Sequence, residues 1–224
     1  MNVLPFLDKE MARPTELLTP FDPQRSWDAD STPPALAAFS RKIGQLFPGI
    51  GARTPEIEAA IVLASLMHDV AYYYGGSRSE KDDADSLFRQ QIPFFASLLN
   101  KEAGPVARVT AFVDEMAVTI GGGHPFQEDY SWSYGFEKAK RGYTRIDQTE
   151  ALKIRCCAQG VFRHVVREIS DRKFVLSDVL RKKLAAAEPD YREKLMAAVV
   201  RLAEELANRD FKGVPGLQCE EEAG

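Results

Sequence analysis

Residues 54–76 read TPEIEAAIVLASLMHDVAYYYGG, a run of 23 residues bounded by helix start and stop signals. Thr54-Pro55-Glu56 places a side-chain cap, a proline at the first helical position and an acid beside the positive end of the helix dipole, so a helix is predicted to start at Pro55. Ile57, Ile61, Val62, Leu63, Leu66, Met67 and Val70 make that helix apolar nearly all round, the pattern of a helix inside a core rather than on a surface. Gly75-Gly76-Ser77 ends it. Near its end, against this apolar background, stand two adjacent polar residues, His68 and Asp69.

After the glycines, Ser79 with Glu80, Asp82 and Asp83 opens a further helix with an inward stripe of Ala84, Leu87, Phe88 and Gln91, kinked or ended near Pro93. Residues 55 to 92 are thus expected to form an antiparallel helical pair. Upstream, Leu36, Phe39, Ile43 and Leu46 recur at helical spacing over Ala35–Phe47, and Phe47-Pro48-Gly49-Ile50-Gly51 breaks that pattern. Downstream, a helix is expected from Gly104-Pro105 to Ile120. A loop follows with Phe126, Tyr130, Trp132, Tyr134 and Phe136, and helical spacing returns over about Asp147–Ile169 and Asp190–Leu206. Strand-like alternation is scarce, so the fold class is all-α. The expected organisation is an arm over residues 1–33, with many prolines and little periodicity, a core over 34–136, a helical extension over 137–210 and a flexible tail over 211–224.

Composition excludes several classes. The chain has 224 residues, 45% hydrophobic and 28% charged, which suits a globular domain; a net charge of -4 offers no basic footprint for nucleic acid. No stretch approaches the roughly 18 apolar residues that span a bilayer, and the opening MNVLPFLDKEMARP lacks a signal-peptide pattern, so a cytoplasmic setting is expected. Three cysteines, Cys156, Cys157 and Cys219, give neither a disulfide framework nor zinc-knuckle spacing; Cys156 and Cys157 lie in an apolar helical pattern and are expected to behave as small hydrophobes. Lys138, Lys140, Arg141, Arg145, Lys153 and Arg155 are interrupted by acids and read as a solvated face. The C-terminal helices suit packing and dimerisation equally.

The chemistry centres on His68. Burying His68 and Asp69 costs on the order of several kcal/mol unless partners satisfy them. With Gly76 as the turn, His68 lies eight residues before it and Asp85 nine after it, each about 12 to 14 Å away at about 1.5 Å per residue, so the two are predicted to sit side by side. Tyr72 shares the face of His68, while Asp69 points about 100° away. An imidazole held by a carboxylate on one nitrogen keeps the other free to take a proton from water. Asp69 is then available to a hard cation such as calcium, together with backbone carbonyls of the glycine loop 47–51. The alternative is a core histidine satisfied by Asp85, or an Asp85 that pairs with Arg89 four residues on.

His68-Asp69-Val70-Ala71-Tyr72, followed by Ala84-Asp85 and Phe88, resembles the H-D-x-x-Y signature and the second-helix aspartate of phospholipase A2, most of all the disulfide-poor bacterial and viral branches. Phe47-Pro48-Gly49-Ile50-Gly51 is similar to that family's aromatic-x-G-x-G calcium loop. Gly121-Gly122-Gly123 and Trp132-Ser133-Tyr134-Gly135 resemble segments of bacterial relatives that share an H-D-x-x-Y-x-x-G-G stretch. The likeness covers about residues 35–136. It implies His68 as general base for water attacking an ester, Asp85 as its orienting carboxylate and Tyr72 as a hydrogen-bond donor to Asp85. It also implies calcium held by Asp69 with the carbonyls of Phe47, Gly49 and Gly51, and a lipid or small ester as substrate. The chain departs from the family in lacking the flanking cysteines, in having Phe47 where tyrosine is usual, and in Pro48, which removes an N–H.

Two other readings compete. A metal phosphohydrolase of the H…HD…D type needs a histidine upstream, and none precedes His68. A non-catalytic helical scaffold would use the polar cluster only to fix how two helices pack. His124 is expected to be a surface-loop residue.

Overall fold

The computed structural model describes residues 11–15, 18–27, 54–121, 132–176, 180 and 188–217, and, within the helix that ends at Gly121, no side chains at 113 and 115–121. The helix expected over Ala35–Phe47, the Phe47–Gly51 loop, Phe126, Tyr130, His124 and Cys219 lie outside the described residues. Among the described residues the fold is all-α, with no strand and one isolated bridge between Met11 and Thr144. In chain order the helices are α1 (Pro23–Ser26), α2 (Pro55–Tyr74), α3 (Arg78–Leu99), α4 (Ala103–Gly121), α5 (Gln148–Ser170) and α6 (Pro189–Asn208), with a 3-10 turn at Lys138–Lys140.

The central element is α2. Its N-terminus is closed by Thr54, whose hydroxyl accepts from the Ile57 N–H, with Pro55 in the first turn and Glu56 and Glu58 near the dipole's positive end. It packs against α3, α5 and α6, and Ala59, Ala60, Ile61, Val62, Leu63, Ala64, Leu66 and Val70 are fully buried. Each large apolar side chain so buried contributes about 1.5 to 3 kcal/mol. Around it, α3 supplies Phe88, Ile92, Phe95 and Ala96, α5 supplies Phe162, Val165 and Val166, and α6 supplies Val199, Leu202 and Leu206. Phe95 of α3 and Phe162 of α5 stack with ring centroids 5.9 Å apart.

The turn from α2 to α3 is built by two devices. The Gly75 N–H closes α2 onto the Ala71 carbonyl, and its φ of +65° is one that an L side chain rarely adopts. Ser77 then caps α3 in a reciprocal box with Glu80: the Ser77 hydroxyl serves the Glu80 N–H and donates to its carboxylate, which also accepts from the Ser77 N–H. The cap is therefore Ser77 rather than Ser79, because the acid three residues on is what completes the box. Three hydrogen bonds link α2 to α3 at growing sequence separations: Tyr72 to Asp85 (13 residues), His68 to Asp85 (17) and Gln91 to Met67 (24). That progression is the one two neighbouring helices give when they run back along each other.

Several expectations are revised. Helix α3 passes through Pro93 and continues to Leu99, since Ile92, Phe95 and Ala96 are buried on the core and that burial outweighs one missing hydrogen bond. The proline-rich arm contributes to the core: Phe21 and Trp27 are buried, the Trp27 Nε1–H donates to Ser65 Oγ at 2.9 Å, and the Phe21 N–H donates to the Tyr74 hydroxyl. At the other end Phe211, Val214 and Leu217 pack on the core, so the tail is structured through Leu217. Cys156 is exposed and Cys157 half-buried, so only the second behaves as a packing residue.

Gly75 supplies a direct check. A Cβ at Gly75 would lie 2.5 Å from the Cβ of Ser133, whereas one at Gly160, an exposed position inside α5, would meet nothing within 4 Å. Gly75→Ala is expected to destabilise the protein by about 2 to 4 kcal/mol through backbone strain and overpacking. Gly160→Ala should stabilise it by about 0.5 to 1 kcal/mol through helix propensity. Urea unfolding of both variants measures this; equal midpoints would show that the 132–135 loop does not sit on the turn.

Candidate functional site

Five charged or ionisable side chains meet where α2 faces the start of α3. His68 Nε2 lies 3.1 Å from Asp85 Oδ1, and the Tyr72 hydroxyl donates to the same oxygen at 2.7 Å. The other oxygen, Oδ2, accepts from Lys81 Nζ at 2.7 Å. On the far side of the imidazole, His68 Nδ1 is 3.5 Å from Asp69 Oδ1. All five residues are buried, Lys81 at 1% exposure and Asp85 at 3%. The rings of Tyr72 and Phe88 flank His68, with centroids 4.0 and 4.9 Å from its own, and the Lys81 ammonium lies 5.4 Å from the Tyr72 ring centroid.

Local helix geometry explains the meeting. His68 and Tyr72 are one turn apart on α2, and Lys81 and Asp85 are one turn apart on α3, so each helix presents a pair on one face. Trp132 closes the cluster from above: its ring meets the Tyr72 ring edge-on with centroids 5.0 Å apart, and its Nε1–H donates to the Gly76 carbonyl at 3.0 Å. Backbone N–H groups of Tyr134 and Gly135 donate to the carbonyls of Tyr72 and Tyr73. The aromatic segment, as far as it is described, is therefore a cover on the end of α2.

Electrostatics follow from burial and pairing. Burial alone favours the neutral imidazole, but the carboxylates of Asp69 and Asp85 outweigh it and hold the His68 pKa up at about 9. Burial would raise the Asp85 pKa, and His68 with Lys81 instead bring it below its usual value. Burial, then the Asp85 charge, pushes the Tyr72 phenol well above 10, so it remains a donor. At neutral pH His68 is therefore an imidazolium, held against the Asp85 carboxylate.

The structure brings His68, Tyr72 and Asp85 together, as the spacing predicts. Asp85 pairs with His68, Tyr72 and Lys81 across and along the helices. The expectation that the second imidazole nitrogen is left free is corrected, because Asp69, although its Cα–Cβ direction diverges, turns its carboxylate back toward Nδ1. Lys81, by contrast, is not marked by its spacing from the turn. Its i,i+4 relation to Asp85 is visible in the chain, but lysine is seldom buried and a surface position is the ordinary reading. Phe47, Gly49 and Gly51 lie outside the described residues, and among the described residues no three His, Cys, Asp or Glu side chains converge as a metal site. Among them, too, no helix is long and apolar enough to cross a membrane.

His68 also forms part of the wall of a cavity of about 110 Å³ between α2, α3 and α5. Its lining is mainly apolar, from Met67, Leu87, Phe88, Trp132 and Ile154, with Glu80, Asp83 and Arg155 among its polar groups and Gly216 of the C-terminal turn. That turn is pinned by the Gln91 amide donating to the Pro215 carbonyl at 2.9 Å and the Gln159 amide donating to the Gly216 carbonyl at 2.6 Å. No family model, no curated protein and no solved structure matches this chain.

The His68 pairing makes stability depend on pH with a definite sign. Its pKa is about 9 in the folded state against 6.5 for the unfolded chain, so the stabilisation is fully present below about 6.5 and is lost as pH rises through 9. Asp85, shifted downward, acts in the opposite range: its contribution is present above the ordinary carboxylate pKa of 3.8 and is lost as pH falls through the lowered value. Urea midpoints measured in chelator should therefore decline between pH 6.5 and 9, and Asp85→Asn should flatten that decline. An alkaline limb unchanged by Asp85→Asn would mean that another group titrates there.

Proposed function

We propose that this chain is a water-activating ester hydrolase of the phospholipase A2 type, with His68 as general base, Asp85 as the carboxylate that orients it and Tyr72 as a donor that fixes Asp85. The observation that carries this reading is an imidazole held by a buried carboxylate in the wall of an apolar cavity. Held through Nε2, the ring has Nδ1 as the nitrogen for a water molecule. The water's proton passes to Nδ1, its oxygen attacks the ester carbonyl, and the leaving alcohol takes the proton back. This requires Asp69 to turn from Nδ1 to another partner. The substrate is an ester with an apolar acyl group, phospholipids included, whose chain lies against Met67, Leu87 and Phe88.

Calcium belongs to this proposal through donor chemistry. A carboxylate and peptide carbonyls are the hard oxygen ligands calcium takes, and Asp69 with the carbonyls of Phe47, Gly49 and Gly51 would supply them. Bound there, the ion would stabilise negative charge on the ester oxygen.

A second reading, a helical scaffold without activity, is favoured by one specific feature. Both nitrogens of His68 face carboxylates, and four opposite charges close on one another. The two readings separate on release of carboxylic acid from short-chain esters and from mixed phospholipid micelles, with calcium and with chelator. A hydrolase should lose about a hundred- to ten-thousand-fold in His68→Gln, less in Asp85→Asn, and its response to calcium in Asp69→Asn. Hydrolysis that survives both chelation and His68→Gln would rule out the mechanism. No turnover by any form, with a melting temperature indifferent to calcium, would establish the scaffold.

A further inference from the structure

The cluster contains one group the proposed reaction does not use. Lys81 is, by residue volume, among the largest side chains fully buried in the described residues, and its ammonium has been taken out of water where such a group ordinarily stays. Withdrawal of an ammonium from water is strongly unfavourable unless geometry and pairing offset it. The offset here is specific. Asp85 divides its two oxygens: Oδ1 receives His68 and Tyr72 from α2, and Oδ2 receives Lys81, from the same helix as Asp85 itself.

A carboxylate joined to a helix by one methylene turns about its Cα–Cβ and Cβ–Cγ bonds. The two bonds to Oδ1 meet at a single atom and do not by themselves set the plane of the group. A short charge-assisted bond to Oδ2 sets it, and Lys81 is able to make that bond because its stem runs along the same face of α3, one turn before Asp85. Helix α3 thus carries both the carboxylate and the clamp that sets its angle, and the pair reaches α2 already oriented.

We infer that Lys81 is a positioning residue, which fixes the plane of the Asp85 carboxylate so that Oδ1 points at His68 Nε2. The role in catalysis rests on the hydrolase reading, whereas the geometric role does not.

The test uses the full chain and two kinds of measurement. In the wild-type protein, nitrogen-detected NMR of the lysine ammonium groups should show one Lys81 signal protected from exchange with water and coupled across a hydrogen bond to the Asp85 side chain. An ammonium in fast exchange overturns the proposal without any variant. Lys81→Met keeps the length of the side chain and removes the donor. It should move the His68 Nε2–H proton resonance upfield by more than 1 ppm or broaden it beyond detection, and lower kcat about ten- to a hundred-fold with KM within two-fold. Lys81→Arg, which retains a charged donor, should recover at least part of both. A lowered melting temperature in Lys81→Met with the His68 resonance and kcat unchanged would reduce Lys81 to a structural pair and overturn the proposal. If the wild type hydrolyses no ester, the hydrolase reading fails, and the His68 resonance alone decides the positioning role. If Lys81→Met does not fold, Lys81→Gln, whose neutral and shorter donor falls short of Oδ2, takes its place: the same shift of the His68 resonance is expected, and an unchanged resonance overturns the proposal.

Discussion

The buried carboxylate of Asp85 constrains everything around it. A carboxylate at 3% exposure keeps its charge only if donors replace water at both oxygens, and among the described residues His68 and Tyr72 from α2 and Lys81 from α3 do so. Donors one turn apart on α2 must face an acceptor on α3, so the register between the two helices is set to within a residue. A slip of one position would turn each side chain by about 100° and leave buried charges unpaired. The apolar contacts of Phe88, Ile92 and Phe95 would tolerate several packings; the charged cluster accepts one.

The remainder of the structure insulates that cluster. The 132–136 segment brings Trp132 onto Tyr72, and its backbone donates to the last carbonyls of α2, which would otherwise be orphaned at the helix end. On the other side, two buried glutamine amides, Gln91 from α3 and Gln159 from α5, hold the turn that includes Pro215 and Gly216. Their Oε1 atoms have no partner among the described residues, so the hold on that turn is exerted through the amide nitrogens. The cavity bordered by His68 lies between these covers. Burial there opposes the charged imidazole, and the two carboxylates at its nitrogens outweigh that cost and hold its pKa up at about 9.

The same electrostatics bear on both functional readings. A ring with a pKa near 9 is an acid at neutral pH, and a base for water must be neutral. Any reaction through His68 therefore depends on the Asp69 carboxylate ceasing to face Nδ1, and any purely structural role depends on its staying there. Asp69 thus separates a working site from a satisfied core.

Much of this was legible in the chain. The helix over 55–74 followed from Thr54-Pro55-Glu56, an apolar run too long for a strand, and Gly75-Gly76. The meeting of His68, Tyr72 and Asp85 followed from helical rise and equal distance to a turn, because both quantities are local and nearly constant. Other features escaped local reasoning. Pro93 reads as a helix end, yet α3 continues, since burial of Phe95 and Ala96 is a tertiary gain that no local rule contains. Phe21 and Trp27 stand among prolines with no periodicity, and only the shape of the core assigns them a place in it. Lys81 and the return of Asp69 to Nδ1 belong to the same group. Sequence by itself determined which residues carry charge, which helices carry them and at what spacing; which charges are taken out of water, and what each then faces, was decided by the packing of distant elements, because burial is a property of the whole fold rather than of any window of sequence.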